Sequence, residues 1–384
     1  MSVADAGDGR ARAGRGHPFV VVAGGGTGGH VYPAIAVADE LVQRGNARDS
    51  VRFLGSARGM EARVVPAAGY AIDLLPGRGF RRSLAPNAVV QNLRTAWDTL
   101  VACARAVLLL RRYRPAVVLG VGGYAAAPGV LAARLLRIPV VVHEQNAAPG
   151  VVNRVAVALG AHPAVSLPET PLRGSVLTGN PVRAAILANV DGDRRDGDTS
   201  PEWIGVFGGS LGARRINDAT LDLARRWRDR AGCTIRHVTG SRDYQRCVDE
   251  WAGRPAGDDA LRYELVEYED DMAGLYARAD VVVTRAGAVT VAELAVSGTP
   301  AVVVPLPGAP SDHQTANGRA LEAAGAAVLV PDAECDGDRL ARELDRLLGD
   351  PARLAGMRAR ARTLARPDAA ARVADLVEEA AGVR

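Results

Sequence analysis

Twice in this chain an apolar strand runs into a glycine-rich loop and then into a helix. The first instance reads FVVVA, GGGTGG, HVYPAIAVA from residue 19, and the second reads WIGVF, GGSLGA, RRIND from residue 203. Glycine lets the backbone come close to a ligand, and the helix start supplies N–H groups with no partner in the helix. Two such openings constrain the fold more than any other feature. Apolar runs at 19–23, 51–54, 117–119, 140–143 and 176–178, then at 203–207, 234–238, 281–284, 301–304 and 327–330, predict two series of buried strands. Helical stretches lie between them, for example at about 32–44, 213–230 and 289–297. Strands alternating with helices predict an α/β protein with two Rossmann-like domains, their parallel doubly wound sheets facing a cleft.

The length of 384 residues suits two domains, since single cores stop growing at about 250–300 residues. Between the two series lies NVDGDRRDGDTSPE, which has the composition of a linker. The expected organisation is a disordered tail at 1–16, a first domain at 17–188, a linker at 189–202, a second domain at 203–366 and a terminal segment at 367–384. The tail is polar and lacks the apolar core of a signal peptide. The uncharged stretch 116–133 is broken by Gly120, Gly122, Gly123, Pro128 and Gly129, so it reads as strand, loop and helix rather than a membrane span.

Composition excludes several classes. A net charge of +4 and 4% aromatics do not suggest a nucleic-acid binder. All 47 basic residues are Arg, which rules out a P-loop lysine and a Schiff-base lysine. The four cysteines form no CxxC pair and read as reduced thiols of a cytosolic protein. No HxxxH or HExxH spacing exists, and His143 and Glu144 are neighbours that point apart, so neither a metal nor another cofactor is expected.

The loop at 24–29 fits GxGxxG, but the second strand ends in Gly55-Ser56 where a dinucleotide site wants an acid. Contact with a phosphate or sugar diphosphate is the better reading, beside that of a plain turn. His30 follows the loop at a helix start, which favours a neutral imidazole and suits a general base; a His that merely bonds the loop is the alternative. Ser210 adds a hydroxyl to the second loop. Glu293 lies in an otherwise apolar turn, where a carboxylate can accept both hydroxyls of a ribose; a solvated helix face is the bland reading. His143-Glu144-Gln145-Asn146 caps a strand at its ligand-binding end, and Asp312-His313-Gln314 follows a proline-rich loop. Residues 78–114 hold eight Arg against Asp98 alone, interleaved with Phe80, Leu84 and Trp97. That is either a solvated basic helix pair or a patch for anionic lipid.

Taken together, GGGTGGHVYPAIAVA, VGGYAAAPG, PVVVHEQN, TGNPVR, FGGSLGA and RAGAVTVAELAVSGTPAVVVPLP with DHQTANGRAL resemble the MurG family, in order and over roughly residues 19–382. The resemblance implies the GT-B fold, with 367–383 as a last helix crossing back to the first domain. It implies a hexosyltransferase that moves N-acetylglucosamine from UDP-N-acetylglucosamine to lipid I, giving lipid II and UDP in peptidoglycan synthesis. The implied donor site is Thr27, Gly28, Gly29, Asn146, Arg183, Ser210, the backbone of Glu269, then Ala288, Val289, Thr290, Glu293 and Gln314. Glu269 stands where an aliphatic residue is common in the family. His30 and Tyr124 fall on the acceptor side. Phe80, Arg81, Arg82, Leu84 and Trp97 would form a membrane patch on the first domain. The implied partners are UDP-N-acetylglucosamine, undecaprenyl-diphosphate-linked muramoyl pentapeptide, an anionic membrane surface and a cell-wall elongation or division complex. The implied location is the cytoplasmic face of the cell membrane. A UDP-sugar 2-epimerase of the same architecture and a non-catalytic UDP-sugar-binding protein are the alternatives.

Overall fold

The computed structural model describes residues 18–77, 86–188, 202–209, 211–253 and 259–383, with side chains at 86–94 left aside. The expected tail and linker lie outside these residues, the linker's last residue, Glu202, excepted. The chain divides into two compact units, one ending at Pro181 and resuming at Asp368, the other covering Val182–Pro367.

The first unit is built on seven parallel strands: β1 (Val20–Ala23), β2 (Val51–Ser56), β3 (Ala71–Leu75), β4 (Val117–Gly120), β5 (Val140–Glu144), β6 (His162–Val165) and β7 (Val176–Leu177). Their order is β3-β2-β1-β4-β5-β6-β7. Helices α1 (Gly28–Gln43), α2 (Glu61–Ala67), α3 (Pro86–Tyr113), α4 (Ala126–Leu135) and α5 (Val151–Ala158) connect them. Strand β1 shows why the run VVVA is buried. Val20 and Val22 join α1 and the chain's last helix, Ala369–Ala380, in one core, while Val21 and Ala23 join α3 and α4 in another. A strand with apolar side chains on both faces belongs in the middle of a covered parallel sheet. The basic segment contributes one long helix, α3, among its described residues, rather than a pair.

The second unit repeats the plan with six parallel strands: β8 (Glu202–Phe207), β9 (Cys233–Val238), β10 (Arg262–Val266), β11 (Val281–Thr284), β12 (Ala301–Val303) and β13 (Ala327–Leu329), in the order β10-β9-β8-β11-β12-β13. Its helices are α6 (Ala184–Ala188), α7 (Arg214–Arg226), α8 (Tyr244–Ala252), α9 (Met272–Arg278), α10 (Ala288–Ser297), α11 (His313–Ala323), α12 (Gly337–Leu348) and α13 (Pro351–Leu364). Aspartates start three of them. Asp271, Asp336 and Asp350 each accept an N–H one turn on, from Gly274, Arg339 and Arg353. No helix of the described residues is long and apolar enough to cross a membrane.

Besides its apolar packing, the last helix is tied to the first unit by one guanidinium. Arg44, just past α1, donates to Glu40 at 2.8 Å, Asp375 at 2.8 Å, Glu378 at 2.9 Å and the Ala371 carbonyl at 2.8 Å. Arg44→Ala removes the Arg44 charge from the mostly buried Glu378. The expected cost is about 2–3 kcal/mol, read from denaturant midpoints, with faster amide exchange across Ala369–Ala380. A loss under about 0.5 kcal/mol with unchanged exchange would show that apolar packing alone seats this helix.

Candidate functional site

In the first unit the loop at 24–29 leaves β1 and enters α1. Thr27 is the residue before the helix, and its carbonyl accepts from the N–H of His30 and of Val31. The N–H groups of Gly28 and Gly29 precede the helical ladder. The loop's shape is set from beneath by a residue not singled out in the sequence. Glu61, at the start of α2, is 1% exposed. It accepts from the N–H of Gly26 at 2.7 Å and the N–H of Ser56 at 2.8 Å. Gly25 has φ +146°, and a Cβ there would fall on the Glu61 carboxyl group. So an acid does close the second strand, five residues past Ser56. It bonds to loop backbone instead of presenting itself to a ribose.

His30 lies in the first turn of α1, and its Nδ1 is 3.0 Å from Gln145 Oε1. Gln145 is buried and bonds on through its amide nitrogen to the Val121 carbonyl and to His143 Nδ1, each at 3.0 Å. His143 Nε2 donates to the Gly179 carbonyl at 2.9 Å. Burial pushes the His143 imidazole down to about 4, against the pull of that bond and of Glu144. Gly122 and Gly123 close over the His30 ring. Gly123 has φ +74°, and a Cβ there would sit 2.6 Å from the Gly25 carbonyl oxygen. Tyr124, which follows, is exposed, and its ring stands 3.5 Å from where a Gly26 Cβ would be.

Glu144 points the other way. It accepts from the N–H of Asn146 at 3.0 Å, Asn146 Nδ2 at 3.2 Å, the N–H of Gly150 at 2.9 Å and Asn153 Nδ2 at 2.8 Å. A buried carboxylate with four donors holds the Asn146 turn and the start of α5.

In the second unit Glu293 is 2% exposed, which corrects the solvated-face reading. Its Oε1 accepts from Arg183 at 2.8–2.9 Å and its Oε2 from the buried Tyr276 hydroxyl at 3.0 Å. Burial raises the carboxyl above its usual range while Arg183 and Tyr276 oppose the shift. Ala288, Val289 and Thr290 form the first turn of α10, where the first ladder bond is from Val291 to Gly287, so their N–H groups precede it. Arg285 ties the strand end to the loop after β12 through the Val304 and Pro305 carbonyls at 3.0 Å and Asp332 at 2.6 Å. Gln314 accepts from the Leu306 N–H at 2.9 Å in that region. The Glu269 side chain pairs with Arg236 at 2.9 Å.

The structure therefore brings His30, Tyr124 and the loop holding Thr27, Gly28 and Gly29 together in one unit. It brings Arg183, Glu293 and the α10 start together in the other. Asn146 lies at the end of β5, held by Glu144. Ser210, Phe80, Arg81, Arg82 and Leu84 lie outside the described residues. Trp97 is 67% exposed on α3. Among the described residues no group of three His, Cys, Asp or Glu is placed to hold a metal.

Comparison with known proteins adds to this geometry. The glycosyltransferase family 28 N-terminal domain matches residues 20–160, and the family 28 C-terminal domain matches residues 203–373. A protein of Alkalilimnicola ehrlichii is 45% identical over 94% of this chain and 99% of its own. It is called UDP-N-acetylglucosamine–N-acetylmuramyl-(pentapeptide) pyrophosphoryl-undecaprenol N-acetylglucosamine transferase. A protein of Syntrophotalea carbinolica with the same name is 40% identical over 92% of this chain and 96% of its own. The crystal structure of Acinetobacter baumannii MurG superposes with a TM-score of 0.74 at 33% identity, over 94% of this chain and 99% of that one. A UDP-N-acetylglucosamine 2-epimerase superposes with a TM-score of 0.63 at 17% identity, over 96% of this chain and 97% of that one, which shows a shared fold only. The fold is of the GT-B type.

The buried His143 gives a pH signature. Its imidazole takes a proton near 6.5 in the unfolded chain and near about 4 in the folded one, so folding favours the neutral form. The stability this contributes is complete above about pH 6.5 and is lost as pH falls towards about 4. Between pH 7 and about pH 4.5 the wild type should lose on the order of 2 kcal/mol more than His143→Gln, by denaturant midpoints at each pH. Equal losses would contradict the depressed imidazole.

Proposed function

The chain belongs to glycosyltransferase family 28, within it to the MurG family, and on that footing we propose how its residues divide the reaction. The protein is a hexosyltransferase that moves N-acetylglucosamine from UDP-N-acetylglucosamine to lipid I, giving lipid II. What carries this is the 45% identity running through nearly the full length of both chains. In this reading the second unit takes the donor and the first unit takes the acceptor and supplies the base.

Glu293 receives the ribose hydroxyls on a carboxylate already aligned by Arg183 and Tyr276. The N–H groups of Ala288, Val289 and Thr290 receive the diphosphate, where helix starts favour negative charge, and Ser210 is a further donor residue. The Glu269 backbone holds the uracil, and Gln314 is a further donor-binding residue. The acceptor C4 hydroxyl oxygen attacks C1 of the donor sugar, His30 takes its proton, and the C1–O bond breaks with its electron pair going to UDP. The configuration at C1 inverts. Charge growing on the diphosphate meets backbone donors that need no reorganisation.

The membrane reading rests on α3 and its neighbour α4. Trp97, Leu100 and Leu108 are exposed along one side of α3, and Leu135 is 72% exposed at the end of α4. Exposed Arg105, Arg111 and Arg112 flank them. Apolar side chains ringed by arginines suit a peripheral seat on an anionic leaflet, with the enzyme on the cytoplasmic face.

UDP release from UDP-N-acetylglucosamine should depend on a lipid I analogue and persist in excess chelator. Release or epimerised sugar nucleotide without acceptor would favour the epimerase instead. Binding to anionic vesicles should weaken steeply with salt and drop in the double variant Arg111→Glu, Arg112→Glu. Equal binding to neutral and anionic vesicles would remove the electrostatic part of the membrane reading.

A further inference from the structure

A histidine can act as a base only at the nitrogen that lacks a proton, so its tautomer matters as much as its position. Around His30 the hydrogen bonds determine that tautomer, starting at the far end of a short chain. His143 Nε2 faces the Gly179 carbonyl at 2.9 Å, and a carbonyl oxygen only accepts, so Nε2 carries the hydrogen. Ser166 Oγ, 3.3 Å from the same nitrogen, is compatible with that. The ring is buried and neutral at physiological pH, so its single hydrogen is spent and Nδ1 bears a lone pair.

That lone pair and the Val121 carbonyl both face one end of the Gln145 side chain, each at 3.0 Å. Both are acceptors, so the end facing them must be the NH2 group, which has two hydrogens to give. Turning the amide over would set its oxygen against two acceptors in a buried place. The Gln145 oxygen is thereby directed at His30 Nδ1, 3.0 Å away, and only a protonated Nδ1 can bond to it. A neutral imidazole has one N–H, which leaves the lone pair of His30 on Nε2. Gly122 lies beside this pair with φ +83°, and a Cβ there would crowd His30 Cε1 at 3.3 Å.

We propose that Gln145, oriented by His143, is a positioning residue that holds His30 with its proton on Nδ1 and its basic lone pair on Nε2. The proposal rests on the base role given to His30 above. It makes the HEQN segment a device with two faces. His143 and Gln145 set the tautomer of His30, and the intervening Glu144 braces the turn at Asn146. In the transfer step the acceptor O–H bond breaks, its proton passes to His30 Nε2, and the Nδ1–H bond to Gln145 stabilises the imidazolium formed.

The test reads the tautomer directly. Long-range nitrogen-15 imidazole spectra of the wild-type protein, with His30 assigned by its loss in His30→Ala, should show the hydrogen on Nδ1. A hydrogen on Nε2 overturns the proposal whatever the variants do. In Gln145→Leu the His30 signals should move towards a mixture of tautomers. Its kcat at saturating donor and acceptor should fall about tenfold, with the Kd for UDP-N-acetylglucosamine unchanged. The double variant His30→Ala, Gln145→Leu should be no slower than His30→Ala. An unchanged tautomer in folded Gln145→Leu, or fully additive losses in the double variant, would also overturn it. If His30→Ala transfers at the wild-type rate, the base role fails, and the wild-type spectrum still decides the positioning.

Discussion

Backbone N–H groups at the carboxyl ends of parallel strands are the resource on which this structure depends, and buried carboxylates decide which of them stay with the protein. Glu61 takes the N–H of Gly26, and Glu144 takes those of Asn146 and Gly150. A carboxylate removed from water is costly unless donors saturate it. The loops that supply those donors are therefore held in one shape before any ligand arrives. Gly25 and Gly123 permit this, because side chains there would collide with the carboxyl of Glu61 or the loop backbone.

The two units share a topology and differ in the polar groups at their loop ends. The first gathers two imidazoles, an amide and a phenol around its glycine loop. The second sets an arginine and a tyrosine on a buried glutamate beside a helix start. A neutral imidazole with a fixed tautomer suits proton removal. A carboxylate with fixed partners suits recognition of a diol. The same sheet architecture thus serves two kinds of chemistry, and the difference lies in a handful of loop residues.

Much of this was legible in the sequence, and the failures have physical causes. The runs VVVA, VVLG, VVVHE and VVVT mark central strands because apolar side chains on both faces admit no other place. The strands AIDLL, HPAV and RYELV were not expected. They lie at or next to sheet edges, and polar residues break their apolar runs. Helix α1 begins a turn earlier than the apolar pattern suggests, since Gly28 and Gly29 carry no side chain to pattern. The glycine loops and His30 stand out by composition. Glu61 does not, and the pairing of Gln145 with His30 is not legible either, because these partners are 35 and 115 residues away and are a backbone N–H and a ring nitrogen. For Glu293 the sequence leaves a ribose ligand and a solvated helix face both open, because its burial and its bond from Tyr276 on the preceding helix depend on tertiary packing.

The central claim is that donor recognition and proton removal reside in different units. Paired measurements on two variants test it most directly, namely the Kd of UDP-N-acetylglucosamine and the kcat of transfer for Glu293→Gln and for His30→Ala. Glu293→Gln should weaken donor binding about 10–100-fold through weakened charge-assisted bonds, while saturating donor restores much of its kcat. His30→Ala should bind donor normally and transfer at least about 100-fold more slowly. The reverse pattern, with donor affinity lost in His30→Ala and kept in Glu293→Gln, would contradict the account.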